Sequence, residues 1–290
     1  ERCAPVRAFN RMRPQIRDGK VSLCYEETPL KSAEIRRDVP GEIPYTGDRG
    51  YKLKDVFEGK VTMQQFIAQL PDEELITMFR GEGMCSGRVT PGTASAFGGV
   101  SEGLEEFGIP AVCCADGPSG IRMDCGTKAF LLPCGTLQGC TFDPELIQSL
   151  YEMTGLELRL NQVDSLLGPG MNIHRNPLNG RNFEYISEDP LLTGKIAAAQ
   201  TRGMGKMKIG NTIKHFCCNN QEAGRSTSDS VVSERALREI YLKGFEIAVK
   251  EGGARSVMTS YGAVNGLWTS GNKELCTGIL RDEWGFRGIV

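Results

Sequence analysis

Polar and charged side chains of the kind that bind small molecules recur directly after short apolar runs: Asp116 in CCADGPSGIR, His174 and Arg175 in MNIHRNP, Lys214 and His215 in TIKHF, and Tyr261 in MTSYG. Lys214 and His215 pose the sharpest question, because the chain has only two histidines and this one follows a lysine. Such a pair could move protons, clamp a ligand, or close a buried strand with structural hydrogen bonds. Taken singly, each residue reads as ordinary structure: an Asp before Gly-Pro makes turns readily, and a strand-end His finds a backbone partner. Their recurrence at one topological position is what points to a site. Ammonium, guanidinium and imidazole donors facing a carboxylate, with a tyrosine beside them, suit a small ligand rich in hydroxyls with one apolar face, which describes a sugar ring.

The elements that must position these residues follow from hydropathy. Short apolar runs at 109–116, 164–173, 211–218, 254–261 and 286–290 alternate with segments of helical period, the pattern of βα units around a parallel sheet. Asp143-Pro144 and Asp189-Pro190 each place a capping aspartate before a proline at the first helical position. In SERALREIYLKGFEIAVKEG, the residues Leu237, Ile240, Tyr241, Phe245, Ala248 and Val249 fall on one helical face, and Gly252-Gly253 end the helix. Neither GxGxxG nor GxxxxGK[ST] occurs, so the expected fold is α/β, a (β/α)8 TIM-barrel-like domain, incomplete at its C-terminus, with the polar residues at the carboxyl rim. Residues 56–290 are assigned to this barrel. Residues 1–55, rich in Arg and Pro, are assigned to a linker or the tail of a preceding domain, with RDVPGEIPYTGDRGYKL as an extended connector.

Composition excludes several classes of function. With 34 Lys+Arg against 36 Asp+Glu and no basic block, nucleic acid is not an expected partner. No apolar run approaches the roughly 20 residues that span a bilayer, and no membrane partner is expected. Eleven cysteines without a CxxC argue against a structural zinc site; they read as free buried thiols in a reducing compartment, and a cytoplasmic location is expected. No cofactor or metal is expected.

The ordered motifs ADGPSGIR, HRNPLNGRNFEYISEDPLLTG, IKHFCCNNQE, VSERALREIYLKGFE, VMTSYGAVNG and LRDEWGFRGIV resemble the family 3 glycoside hydrolases, in particular their β-glucosidase branch, from about residue 60 onward. The resemblance implies a retaining enzyme whose barrel domain binds the glycosyl unit and supplies an aspartate nucleophile, while a neighbouring α/β sandwich domain supplies a glutamate acid/base. It implies a β-glucoside or oligosaccharide substrate. Asp116 would accept hydrogen bonds from sugar hydroxyls, Arg175, Lys214 and His215 would donate to or position the others, and Met258 and Tyr261 would line the subsite near the bond that is cut. Lys214 and His215 would then be a substrate clamp. The β-N-acetylglucosaminidase branch carries a further histidine after the Lys-His-Phe motif, which CCNNQEAGRSTSDS lacks. Gly262 stands where the family more often has asparagine.

In the family, the nucleophilic aspartate follows GFRGIV, so it is expected just past Val290 and no catalytic residue is expected within the chain. The chain alone is therefore expected to be inactive and, with strands unpaired, prone to aggregate. The segment from Ile43 onward, IPYTGDRGYKLKDVFEGKVTMQQFIAQLPDEEL, looks like the connector of members in which the sandwich precedes the barrel. Alternatives to β-glucosidase are β-xylosidase of the same family, a non-catalytic sugar-binding barrel, and a lyase forming a Schiff base on Lys214.

Overall fold

The computed structural model describes residues 3, 5, 8, 10–27, 30 and 41–290. Strands β1 (Asn10–Arg17) and β2 (Lys20–Glu27) form an antiparallel hairpin. Its two-residue turn, Asp18-Gly19, has positive φ at both positions, the conformation that matches the twist of a hairpin. This hairpin was not expected from the sequence, where the segment reads as part of a linker or the tail of a preceding domain. The assignment of residues 1–55 to a linker or tail falls in part outside the described residues. Within its described portion, 41–52 carries neither helix nor strand.

The main sheet has five strands: β3 (Ser95–Gly98), β4 (Ala111–Asp116), β5 (Ser165–Leu167), β6 (Gly210–Phe216) and β8 (Ser256–Thr259), in that order. All neighbours are parallel except β3 and β4. Three two-residue strands, β7 (Asp229–Ser230), β9 (Ala263–Val264) and β10 (Leu267–Trp268), make a small separate sheet. The fold is mixed α/β, with the main sheet curled into a half-barrel. The antiparallel start is the departure from a regular βα repeat, and it depends on glycine. A Cβ on Gly99 would lie 1.9 Å from the Ile109 carbonyl oxygen, and one on Gly98, with φ of +81°, 2.6 Å from that of Pro110. Only bare backbone lets the chain fold back this closely.

Strand β6 is buried from Asn211 to Phe216, as a central parallel strand covered on both faces must be. The helix Pro144–Leu160 starts on Asp143, which accepts from the Leu146 N–H; the helix Pro190–Lys206 starts on Asp189, which accepts from Leu191 and Leu192 N–H. The two pack closely where a Cβ on Gly203 would come within 2.4 Å of the Gln148 carbonyl oxygen. The third covering helix changes register: residues Leu237–Tyr241 form a π-turn, closed by Leu242 N–H donating to the Leu237 carbonyl, before Lys243–Lys250 continues as α-helix. The extra residue rotates the buried face, so Leu242 enters the core and Tyr241 turns partly outward, where a strict 3.6-residue period puts Tyr241 inside. The run 286–290 enters the sheet at one point, a parallel bridge between Ile289 and Ser256.

Candidate active site

The carboxyl ends of β4, β6 and β8 bring most of the predicted residues to one rim. Lys214, near the end of β6 and 3% exposed, donates from Nζ to Asp116 Oδ1 at 2.7 Å, joining β6 to the last residue of β4. Met258 on β8 is the register neighbour of Lys214. The Asp116 carboxyl is pulled two ways: burial would raise it, but the charge and hydrogen bond of Lys214, then the Gly117 N–H and Arg181, hold it below the ordinary carboxylate range. It stays ionised, with one oxygen on Lys214 and about a third of its surface open. The turn behind it admits no side chain: a Cβ on Gly117, at φ of +121°, would lie 1.7 Å from the Gly120 carbonyl oxygen.

His215 is 2% exposed and held on its backbone by Asn172, whose Oδ1 accepts from the His215 N–H at 2.9 Å and whose Nδ2 donates to the His215 carbonyl at 2.9 Å. The peptides Lys214-His215 and Phe216-Cys217 are cis. Burial first, then the positive charges of Arg181, Lys214 and Arg225, push the imidazole down to about 2, so it is neutral at ordinary pH. Its Nδ1 lies 3.1 Å from the hydroxyl of Tyr185, which also accepts from Asn219 Nδ2 at 2.8 Å. Asn219 Nδ2 donates in addition to Glu222 Oε1 at 2.9 Å, and Arg225 Nη1 donates to Glu222 Oε2 at 2.9 Å. Arg225 in turn lies over the Tyr261 ring, 4.4 Å from its centroid. Tyr261 thus joins the group through this chain of contacts, half-exposed at its end. Gly262 is packed against the same loop, where a Cβ would come within 2.8 Å of Ser228 Oγ, so the asparagine common in the family would need Ser228 to move.

Arg175 is placed elsewhere. Its Nη1 donates to the Tyr241 hydroxyl at 2.5 Å, and it lines a cavity of about 460 Å³ together with Tyr241, Ile240, Asn220 and Ser230. A cation whose charge acts on both Asp116 and His215 is Arg181, which sequence reasoning did not single out. Arg181 is bonded through Nε to Glu184 Oε1, and Glu184 is buried. Burial opposes the charge on Arg181, and the bonded Glu184 outweighs that effect, so its proton is held more tightly than usual. His174, the second histidine, is paired with the Asn182 carbonyl at 3.0 Å, within its own loop. A larger cavity, about 870 Å³, lies by Arg88, Cys113, Cys125 and Asp164 and touches none of the predicted residues. No cluster of three or more His, Cys, Asp or Glu side chains fit to hold a metal occurs among the described residues.

An ionised carboxylate, its paired ammonium and a neutral imidazole therefore meet at the rim, with the charge of Arg181 acting on Asp116 and His215 and Tyr261 linked through Arg225, an array that can bind hydroxyls by charge-assisted and neutral hydrogen bonds. Residues 91–290 match the model for the glycosyl hydrolase family 3 N terminal domain. A β-glucosidase of Ruminococcus albus is 61% identical over 99% of this chain and 30% of its own length. β-Glucosidase A of Butyrivibrio fibrisolvens is 41% identical over 99% of the chain and 34% of its own. Among solved structures, a β-glucosidase of Paenibacillus barengoltzii superposes with a TM-score of 0.95 at 57% identity, covering all of this chain and 32% of that one. β-Glucosidase 3B of Thermotoga neapolitana, in complex with glucose, superposes over 78% of this chain and 33% of its own with a TM-score of 0.72 at 40% identity. The chain spans about a third of the length of these relatives.

Proposed function

The chain belongs to glycosyl hydrolase family 3, and we propose that the protein carrying it is a retaining β-glucosidase that hydrolyses terminal non-reducing β-D-glucosyl residues, with this chain forming the glycosyl-binding rim. The observation that carries the reading is the Asp116–Lys214 pair: a carboxylate held by Lys214 but still about a third exposed, beside a cation with further N–H groups, matches two neighbouring sugar hydroxyls. Arg181, His215 and Tyr261 complete the glucosyl subsite. The relatives' names, and the glucose bound to the Thermotoga neapolitana protein, support the substrate class. In this reading residues 56–290 are the barrel domain and 1–55 a linker or tail. The nucleophile is an aspartate following Val290, reached by a strand that runs beside β8 toward the same rim. The acid/base comes from an α/β sandwich domain. The ion pair with Asp116 argues against the alternative in which Lys214 forms a Schiff base, since that chemistry needs a free amine.

The test uses the whole protein with aryl β-glucoside and β-xyloside substrates, and a 2-deoxy-2-fluoro-β-glucoside carrying a good leaving group to trap the glycosyl-enzyme. Turnover of the glucoside, and an adduct on the aspartate after Val290, are expected. A preference for the xyloside, an adduct on another residue, or no turnover of either sugar would overturn the proposal.

A further inference from the structure

We propose that Glu222, Asn219 and Tyr185 form a one-way hydrogen-bond relay that fixes His215 as the Nε2–H tautomer, so that toward a ligand this residue acts only as a donor. The proposal rests on the reading of the rim as a glucosyl subsite. Its direction follows from elementary valence. Glu222 is a carboxylate held by Arg225 and only accepts, so the Asn219 atom facing it must be the amide nitrogen. The same nitrogen sends its other hydrogen to the Tyr185 oxygen. Tyr185 is fully buried and its hydroxyl has one hydrogen to give. If His215 carried its proton on Nδ1, that nitrogen and Asn219 would both donate to the tyrosine oxygen, and the hydroxyl hydrogen would be buried without an acceptor. The satisfied arrangement sends the tyrosine hydrogen to Nδ1 and leaves the ring proton on Nε2. Asn172 clamps the His215 backbone on both sides, which fixes where the ring is rooted, and the contact of Nδ1 with the Tyr185 hydroxyl sets how the ring is turned.

The functional consequence is a matter of polarity. Asp116 only accepts and Lys214 only donates, whereas an imidazole could present either face to a hydroxyl. With the relay in place the subsite offers a fixed pattern of one acceptor carboxylate and several donors, including the neutral ring. Tyr185, Asn219 and Glu222 are accordingly positioning residues that act through His215.

The experiment uses the whole protein labelled with 15N-histidine and long-range 1H–15N correlation spectra, with the His215 signals assigned by their loss in His215→Gln. The expected wild-type spectrum has a protonated Nε2 and an unprotonated, hydrogen-bonded Nδ1. In Tyr185→Phe the Nδ1 signal should lose its hydrogen-bond shift and the ring should exchange between tautomers, while KM for a β-glucoside rises about tenfold with a smaller change in kcat. Glu222→Gln keeps the shape but lets residue 222 donate, so it should loosen the tautomer in the same direction, and it carries the test if Tyr185→Phe does not fold. A wild-type ring protonated on Nδ1, or a tautomer unmoved in both variants, would overturn the relay. An Nε2–H ring in a protein that hydrolyses no glucoside would support the relay and overturn the proposed activity.

Discussion

Lowering the pH should unfold this protein partly through a single histidine. His215 has its imidazole pushed down to about 2 by burial and by Arg181, Lys214 and Arg225, against 6.5 for the free side chain. A folded-state value below the unfolded one means that the unfolded chain binds the extra proton. The stabilisation is complete above pH 6.5 and is lost as pH falls from there toward 2. Between about pH 7 and about pH 5 the unfolded histidine goes from roughly a quarter to nearly fully protonated while the folded one stays neutral, a loss of about 2 kcal/mol of stability. Carboxylates also titrate in this range, so the quantity to measure is a difference. Urea unfolding followed by tryptophan fluorescence should show wild type losing about 2 kcal/mol more than His215→Gln between those two pH values. Losses equal to within about 0.5 kcal/mol, the ordinary scatter of additive effects, would refute the idea that His215 is held neutral. An NMR titration in which the His215 ring charges near its free value would refute it as well.

Asp116→Ala strips the partner from a lysine that is 3% exposed; the expected cost is about 3 kcal/mol together with loss of glucose binding, read by urea unfolding and calorimetry. Arg181→Ala should weaken glucose binding by about 2 kcal/mol through loss of a charged hydrogen-bond donor, whereas Arg175→Ala should change it far less, because Arg175 faces the Tyr241 cavity. Gly117→Ala should cost about 3 kcal/mol or more, since it combines a strained φ with a backbone clash. In thiol titration with an aromatic disulfide, the fastest phase should vanish in Cys125→Ser: Cys125 is exposed and its thiol is lowered by the Thr127 hydroxyl and backbone N–H, while burial pushes Cys114 up to about 12.

The parts of the fold that repeat were legible, and the parts that break the repeat were not. Runs rich in apolar residues and ending near Asp116, Lys214-His215 and Tyr261 mark β4, β6 and β8 with its exit loop, because a parallel strand covered on both faces is mostly apolar, although β6 also buries Asn211 and Thr212. The antiparallel β3 was hidden because its reversal is set by close backbone contact at Gly98 and Gly99, which has no periodic signature. The hairpin has a signal in the sequence: Met12, Pro14 and Ile16 alternate with polar residues, Val21 and Leu23 flank Ser22, and Asp18-Gly19 sits between the two runs. The π-turn at Leu237–Tyr241 left none, since the residues on both sides fit an unbroken helix.

The choice between Arg175 and Arg181 shows where rim logic stops. Arg175 comes within two residues of the apolar run ending at Ile173, so proximity to a strand end favours it. Residues 174–188 form a long loop, however, and a side chain in a loop is aimed by whatever anchors that loop. Here the anchor is FEYI: Phe183 is exposed, but Glu184, Tyr185 and Ile186 are buried, and a Cβ on Gly135 would lie 2.3 Å from the Glu184 carbonyl oxygen. A glutamate flanked by residues that seek the interior carries a charge that must be met, and the nearest cation before it is Arg181. The buried Glu184 therefore draws Arg181 inward, where its charge acts on Asp116 and His215, while Arg175 settles on Tyr241. The signal was in the sequence, as an acid among three apolar neighbours, and reading it requires asking which charges are forced inward before asking which lie nearest the rim.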